Sequence, residues 1–192
     1  MKAMEAVDPR HAGPASATQR RHWVLEKTHA LGNAYHVPVL LSCHGPLSLS
    51  RLRVALALLA NRHAALRTAL PVVAGRPVQL VGSLDGIVPR VVDLSGSPQA
   101  QGADADAWRV AVENVARGLL AWPFDLDRGP LFRCFVLRRS NDEAMLLFDI
   151  HHAVCDAWSL RLIQADFERF YASDPGSLDD ADWEEDLGRS EE

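Results

Sequence analysis

The residues that most constrain this chain run from Leu146 to Ser159, and read Leu-Leu-Phe-Asp-Ile-His-His-Ala-Val-Cys-Asp-Ala-Trp-Ser. Met145 to Ile150 is a short apolar run interrupted only by Asp149, with the length and content of a buried strand, and it ends in two adjacent histidines. Successive strand side chains point to opposite faces, so His151 and His152 cannot both enter one pocket unless the backbone turns between them. One of the two is expected to be structural and the other to face a cleft, where an imidazole can accept or relay a proton near neutrality. Four residues on, Asp156 can cap the helix suggested by Trp158, Leu160, Leu162 and Ile163, or pair with a buried cation. Isolated histidine pairs are also found as core packing or chance surface features.

The rest of the chain supplies a frame for that strand. Ser16 or Thr18 can cap a helix that runs to about His29, and Val37 to Cys43 reads as a strand ended by Gly45-Pro46. Ser48 or Ser50 can cap a second helix, in which Leu52, Leu56, Leu59 and His63 recur at helical intervals. Leu66 to Val73 and Pro77 to Val81 read as a hairpin, with a further strand over Ile87 to Val92. From about Asp104 to Trp122, the positions Trp108, Val112, Val115, Leu119 and Trp122 mark a long amphipathic helix stopped by Pro123. Leu131 to Leu137 and Met145 to Ile150 form the hairpin that ends in the histidines, and a last helix covers Ala157 to Tyr171. Irregular alternation of strands and helices suits an open sheet covered by helices in an α/β domain.

Composition narrows the function classes. A chain of 192 residues with 48% hydrophobic content can bury one core, and no stretch approaches the ~20 apolar residues of a membrane span. No membrane association is therefore expected. Residues 1–15 lack the apolar core of a secretory signal and predict a disordered lead, hence a cytoplasmic protein. Cys43, Cys134 and Cys155 are scattered and lack metal-ligand spacing, which predicts a reduced compartment, no disulfide framework and no metal site. Cys155 reads as a packed small hydrophobe rather than a nucleophile. Dispersed basic residues and a net charge of −5 give nucleic-acid binding no support. Most of that acidity lies in residues 174–192, which hold nine acids against one Arg, whereas the preceding residues hold sixteen acids against nineteen basic side chains.

His-His-Ala-Val-Cys-Asp-Ala-Trp-Ser, residues 151–159, resembles the HHxxxDG signature of condensation domains from nonribosomal peptide synthetases. Ser16 to Leu25 resembles the family's opening Ser-x-Ala-Gln-x-Arg-x-Trp-x-Leu segment, and Arg62 to Thr68 its Arg-His-Glu-x-Leu-Arg-Thr segment. Pro123-Phe124-Asp125-Leu126 followed by Gly129-Pro130-Leu131-Phe132-Arg133 agrees as well, so the likeness runs from about Ser16 to Tyr171. The resemblance implies one lobe, residues 16–173, of the chloramphenicol-acetyltransferase-like fold, with an open mixed sheet covered by helices.

It also implies roles. His152 would be catalytic, beside the acceptor amine and the donor thioester. His151 would stabilise the loop, and Arg62 would pair with Asp156 to hold its geometry. No cofactor would be bound, since phosphopantetheine arrives on a partner carrier protein as the substrate arm. A complete condensation domain has two such lobes lining a tunnel, whereas this sequence matches only the first. The implied function is amide formation by acyl transfer from a carrier-protein thioester to an amine, by a condensation-type acyltransferase that needs a second lobe or self-association to complete its site. The alternative is a noncatalytic module that binds a carrier protein or synthetase subunit. Leu178, Trp183 and Leu187, set among the tail's acids, resemble a short acidic docking segment, although such runs also occur as solvated disordered ends. Ala157 stands where the family usually has Gly, a departure that matters only if the backbone there needs φ > 0.

Overall fold

The computed structural model describes residues 12–28, 32–84, 87–101 and 105–173. In chain order these form β1 (Ala12–Pro14), α1 (Ala17–Thr28), β2 (His36–His44), α2 (Leu49–Arg62), β3 (Thr68–Ala69), β4 (Val72–Val73), β5 (Arg76–Val81), β6 (Arg90–Asp93), α3 (Pro98–Gln101), α4 (Ala105–Leu120), β7 (Phe132–Arg138), β8 (Glu143–His151) and α5 (Ala157–Ala172). The main sheet has the order β2-β8-β7-β6. Its first three strands are antiparallel and β6 joins β7 in parallel, so the sheet is mixed and open. Among the described residues, no helix is long and apolar enough to cross a membrane.

Strand alternation divides the sheet between two cores. Phe132, Cys134, Val136, Leu146, Phe148 and Ile150 pack on one face with α2 and α5, whereas Phe135, Leu137 and Leu147 pack on the other with Trp108 and Val112 of α4. Phe148 sits edge-on to both Phe132 (5.5 Å) and Phe167 of α5 (4.8 Å), the aromatic geometry favoured by ring quadrupoles. The helix starts follow their caps. Ser16 and Gln19 form a reciprocal capping box, with Gln19 N–H donating to Ser16 Oγ (3.1 Å) and Ser16 N–H to Gln19 Oε1 (2.8 Å). Ser48 Oγ accepts from Arg51 N–H (3.3 Å) at the start of α2.

Three expectations change. First, part of the lead expected to be disordered is ordered: Ala12–Pro14 pairs antiparallel with β5, and Ala15 is buried, whereas residues 1–11 lie outside the described residues. Second, the strand expected over Leu66 to Val73 begins as a 3-10 turn at Ala64–Arg67 and is broken at Pro71, which has no N–H for a ladder; Leu70 N–H bonds the Leu126 carbonyl instead (2.6 Å). Its fragments β3 and β4 pair with β5 in a small separate sheet rather than extending the main one. Third, the strand expected from Ile87 starts only at Arg90, after Pro89.

Candidate active site

His151 ends β8, opposite His36 of β2, and is completely buried. Its Nδ1 accepts from Ala153 N–H at 3.0 Å, so Nε2 carries the ring proton and donates it to Glu26 Oε2 at 2.8 Å. Burial pulls the His151 imidazole below its ordinary value, and the hydrogen bond to Glu26 works in the opposite direction. His151 is therefore a neutral imidazole that pins the loop to α1.

The backbone turns immediately afterwards. His152 N–H bonds the Tyr35 carbonyl (2.8 Å) and Val154 N–H bonds that of His151 (3.0 Å), which swings the His152 side chain out of the sheet. His152 is exposed and lines an open cleft of about 260 Å³ with Thr18, Gln19, Ala65 and Ser159. Of the pair, His151 is thus enclosed in the fold and His152 stands at the cleft. An exposed imidazole over an open cleft can take a proton from a bound amine.

Asp156 caps α5, its Oδ1 accepting from Ser159 N–H at 2.7 Å, a bond that also holds its carboxyl below the ordinary value. The expected pairing of Asp156 with Arg62 does not form. Arg62 Nε donates to Asp166 Oδ2 (2.8 Å), as does His63 through Nε2 (2.8 Å). The reason is geometric: α2 packs along α5, and its C-terminal residue meets that helix ten residues beyond the cap, about 15 Å farther along the axis. Arg62 thus clamps α2 to α5 and leaves the histidine loop to other residues. Although burial raises the Asp166 carboxyl, the bonds from His63 and Arg62 outweigh it and hold the carboxyl below its ordinary value. Ala157 is the first residue of α5 and, among the described non-glycine residues, only Ala74 has positive φ, so the Ala at 157 needs no special backbone. Cys155 is buried, and burial pushes its thiol up to about 11, which suits a packed side chain and not a nucleophile. Leu178, Trp183 and Leu187 lie outside the described residues.

Several site residues escape a reading of sequence alone. Asp149 is fully buried, bonded to Arg133 Nη2 (2.7 Å) and His36 Nδ1 (3.0 Å), and Arg133 stacks on Phe124 at 3.9 Å. Its signal was present, because a carboxylate inside an apolar strand demands a partner, and hairpin register sets Arg133 directly opposite Asp149. Glu26 and His22 gave no such signal. They lie four residues apart on α1, and only the packing of that helix brings Glu26 to His151 and the His22 ring to 5.2 Å from that of His152.

Comparison with known proteins gives a consistent picture. The sequence model of the condensation domain matches residues 10–179. Phosphinothricin tripeptide synthetase PhsC of Streptomyces viridochromogenes is 34% identical over 153 residues, which are 80% of this chain and 14% of that protein. Malpinin synthetase of Mortierella alpina is 30% identical over 160 residues, 83% of this chain and 2% of that protein. Among solved structures, the starter condensation domain of rhizomide synthetase RzmA superposes with a TM-score of 0.73 at 20% identity, over 83% of this chain and 38% of that chain. A variant of that domain in complex with C8-CoA and Leu-SNAC gives 0.75 at 19% identity, over 93% and 40%. This chain thus spans well under half of each of these proteins.

Proposed function

The chain belongs to the condensation-domain family, and from that premise we propose that it supplies the histidine-bearing half of a site for amide formation in nonribosomal peptide synthesis. The observation that carries this reading is the split of the histidine pair: His151 is locked to Glu26 beneath the loop, and His152 is delivered to an open cleft. The acceptor amine attacks the acyl carbon of a carrier-bound thioester. The new C–N bond forms as the C–S bond breaks, and the amine proton leaves through His152, by transfer or by orientation of the amine, to end on the departing thiolate. Asp156 fixes the start of α5 and so the far rim of the cleft. The phosphopantetheine arm belongs to the carrier protein and needs no resident cofactor here.

An open cleft leaves the thioester exposed to water and the reactants loosely held, so the reaction requires a covering partner: a second lobe or another copy of the chain. A second reading, noncatalytic binding of a carrier protein or synthetase subunit, is favoured by Trp158 and Leu162, two exposed apolar side chains one helical turn apart on α5, the helix whose first turn supplies Ser159 to the cleft. Residues 174–192 would add a docking segment in either case, with Leu178, Trp183 and Leu187 as anchors.

The test is capture from the native host with the full chain, a Trp183→Ala form and a tail-deleted form, followed by mass spectrometry of products made by whatever is captured. Recovery of a lobe-completing protein or synthetase subunit with His152-dependent amide product supports the enzyme reading. Recovery of the same partners with product unaffected by His152→Ala, or with none, leaves the docking reading.

A further inference from the structure

The side chain on which the proposed chemistry turns is held by little. The His152 backbone is fixed by its bond to the Tyr35 carbonyl, yet among the described residues no hydrogen bond reaches either nitrogen of its ring. Where a base must be oriented, a third group usually does it, and among the described residues no carboxylate bonds the imidazole. What touches it is a ring. His22 of α1 packs against His152 with centroids 5.2 Å apart and planes at 55°.

His22 is itself braced. Its ring lies 4.7 Å from that of Tyr35, the residue whose carbonyl receives the His152 N–H, and its buried Nδ1 has no hydrogen bond among the described residues. Residues 22 and 26 share one face of α1, so a single helix face serves both histidines: Glu26 bonds His151, and His22 abuts His152. We propose that His22 is the positioning residue for His152, its ring serving as the wall that sets the orientation of the cleft-facing imidazole. This inference rests on the catalytic role proposed for His152.

The groups facing His22 are His151 and His152 at the end of β8, Arg21 and Glu26 on α1, and Tyr35 before β2. Burial first, and then His152, His151 and Arg21, pull the His22 imidazole below its ordinary value, against the opposing effect of Glu26. It is therefore an uncharged wall at neutral pH and adds no like charge beside a protonated neighbour.

The experiment uses the full chain with ring-labelled histidine and follows the His152 Cε1–Hε1 signal by NMR relaxation in the wild type, His22→Ala and His22→Phe. Alanine is expected to release the ring and, in a reconstituted condensation assay, to lower kcat about 10-fold with KM unchanged, while phenylalanine retains most of both. His152→Ala is expected to raise the titration midpoint of His22. Should His22→Ala prove unfolded by circular dichroism, His22→Gln, which lacks a ring, takes its place with the same expectation. Unchanged His152 ring relaxation and kcat in the folded Ala or Gln form overturn the proposal, as does a Phe form that behaves like Ala. The two ideas fail separately. A ring released by His22→Ala in a protein whose product formation ignores His152 supports the positioning and sinks the chemistry, whereas His152-dependent product indifferent to His22 does the reverse.

Discussion

The side chains around the histidine loop divide into those that hold it and the one that faces outward, and substitutions should separate them. Removing Glu26 leaves the His151 Nε2–H buried without an acceptor; Glu26→Ala is expected to cost about 1–3 kcal/mol in urea unfolding. Asp149→Ala should cost more, roughly 3–5 kcal/mol, because it removes the fully buried carboxylate that both Arg133 and His36 bond. His151 also ties stability to pH. Its folded value lies below that of the unfolded chain, so the unfolded state binds the extra proton; stability is complete above about pH 6.5 and declines as pH falls below it. Melting temperature measured from pH 8 to 5 should show that decline, and Glu26→Ala should steepen it, since Glu26 is the group that favours the charged ring. Gly129 stands apart from the site yet is equally constrained. At φ +56°, with the Thr68 carbonyl 3.0 Å from where a Cβ would sit, Gly129→Ala should destabilise by about 1–3 kcal/mol.

At the scale of elements, helices were more legible than strands. Each long helix carried a periodic apolar face and a local stop or start signal: Ser48 before α2, Asp156 before α5 and Pro123 just past α4. Strand content was legible too, but the division into two sheets was not, because it depends on which partner Arg76–Val81 takes, and pairing leaves no local mark. The prolines at 71 and 89 were visible and mark where the expected strands break or begin. The site was legible to the same depth. The chain's order gave the histidine pair and the Asp156 cap, whereas the pairing of Arg62 depends on how far α2 slides along α5, and Glu26 on which face α1 presents. The α5 contact can be weighed directly: Phe148→Ala, which empties the space between Phe132 and Phe167, should lower stability by about 3–5 kcal/mol in chemical denaturation.

For the molecule as a whole, the same open sheet that presents His152 leaves its cleft uncovered, and α5, which lends Ser159 to that cleft, also carries Trp158 and Leu162, 69% and 47% exposed. Exposed apolar side chains of this size are what a binding partner buries. Trp158→Glu should therefore weaken recovery of the captured partner at least 10-fold without changing the melting temperature, because the indole is largely exposed to solvent. The central claim is narrower and can be met head-on. In the reconstituted assay, with donor and acceptor loaded on carrier proteins, the rate of amide formation by His152→Ala is expected to fall by about 10²–10⁴ relative to the wild type while the fold melts normally. A His152→Ala protein that forms the amide at the wild-type rate would contradict the account.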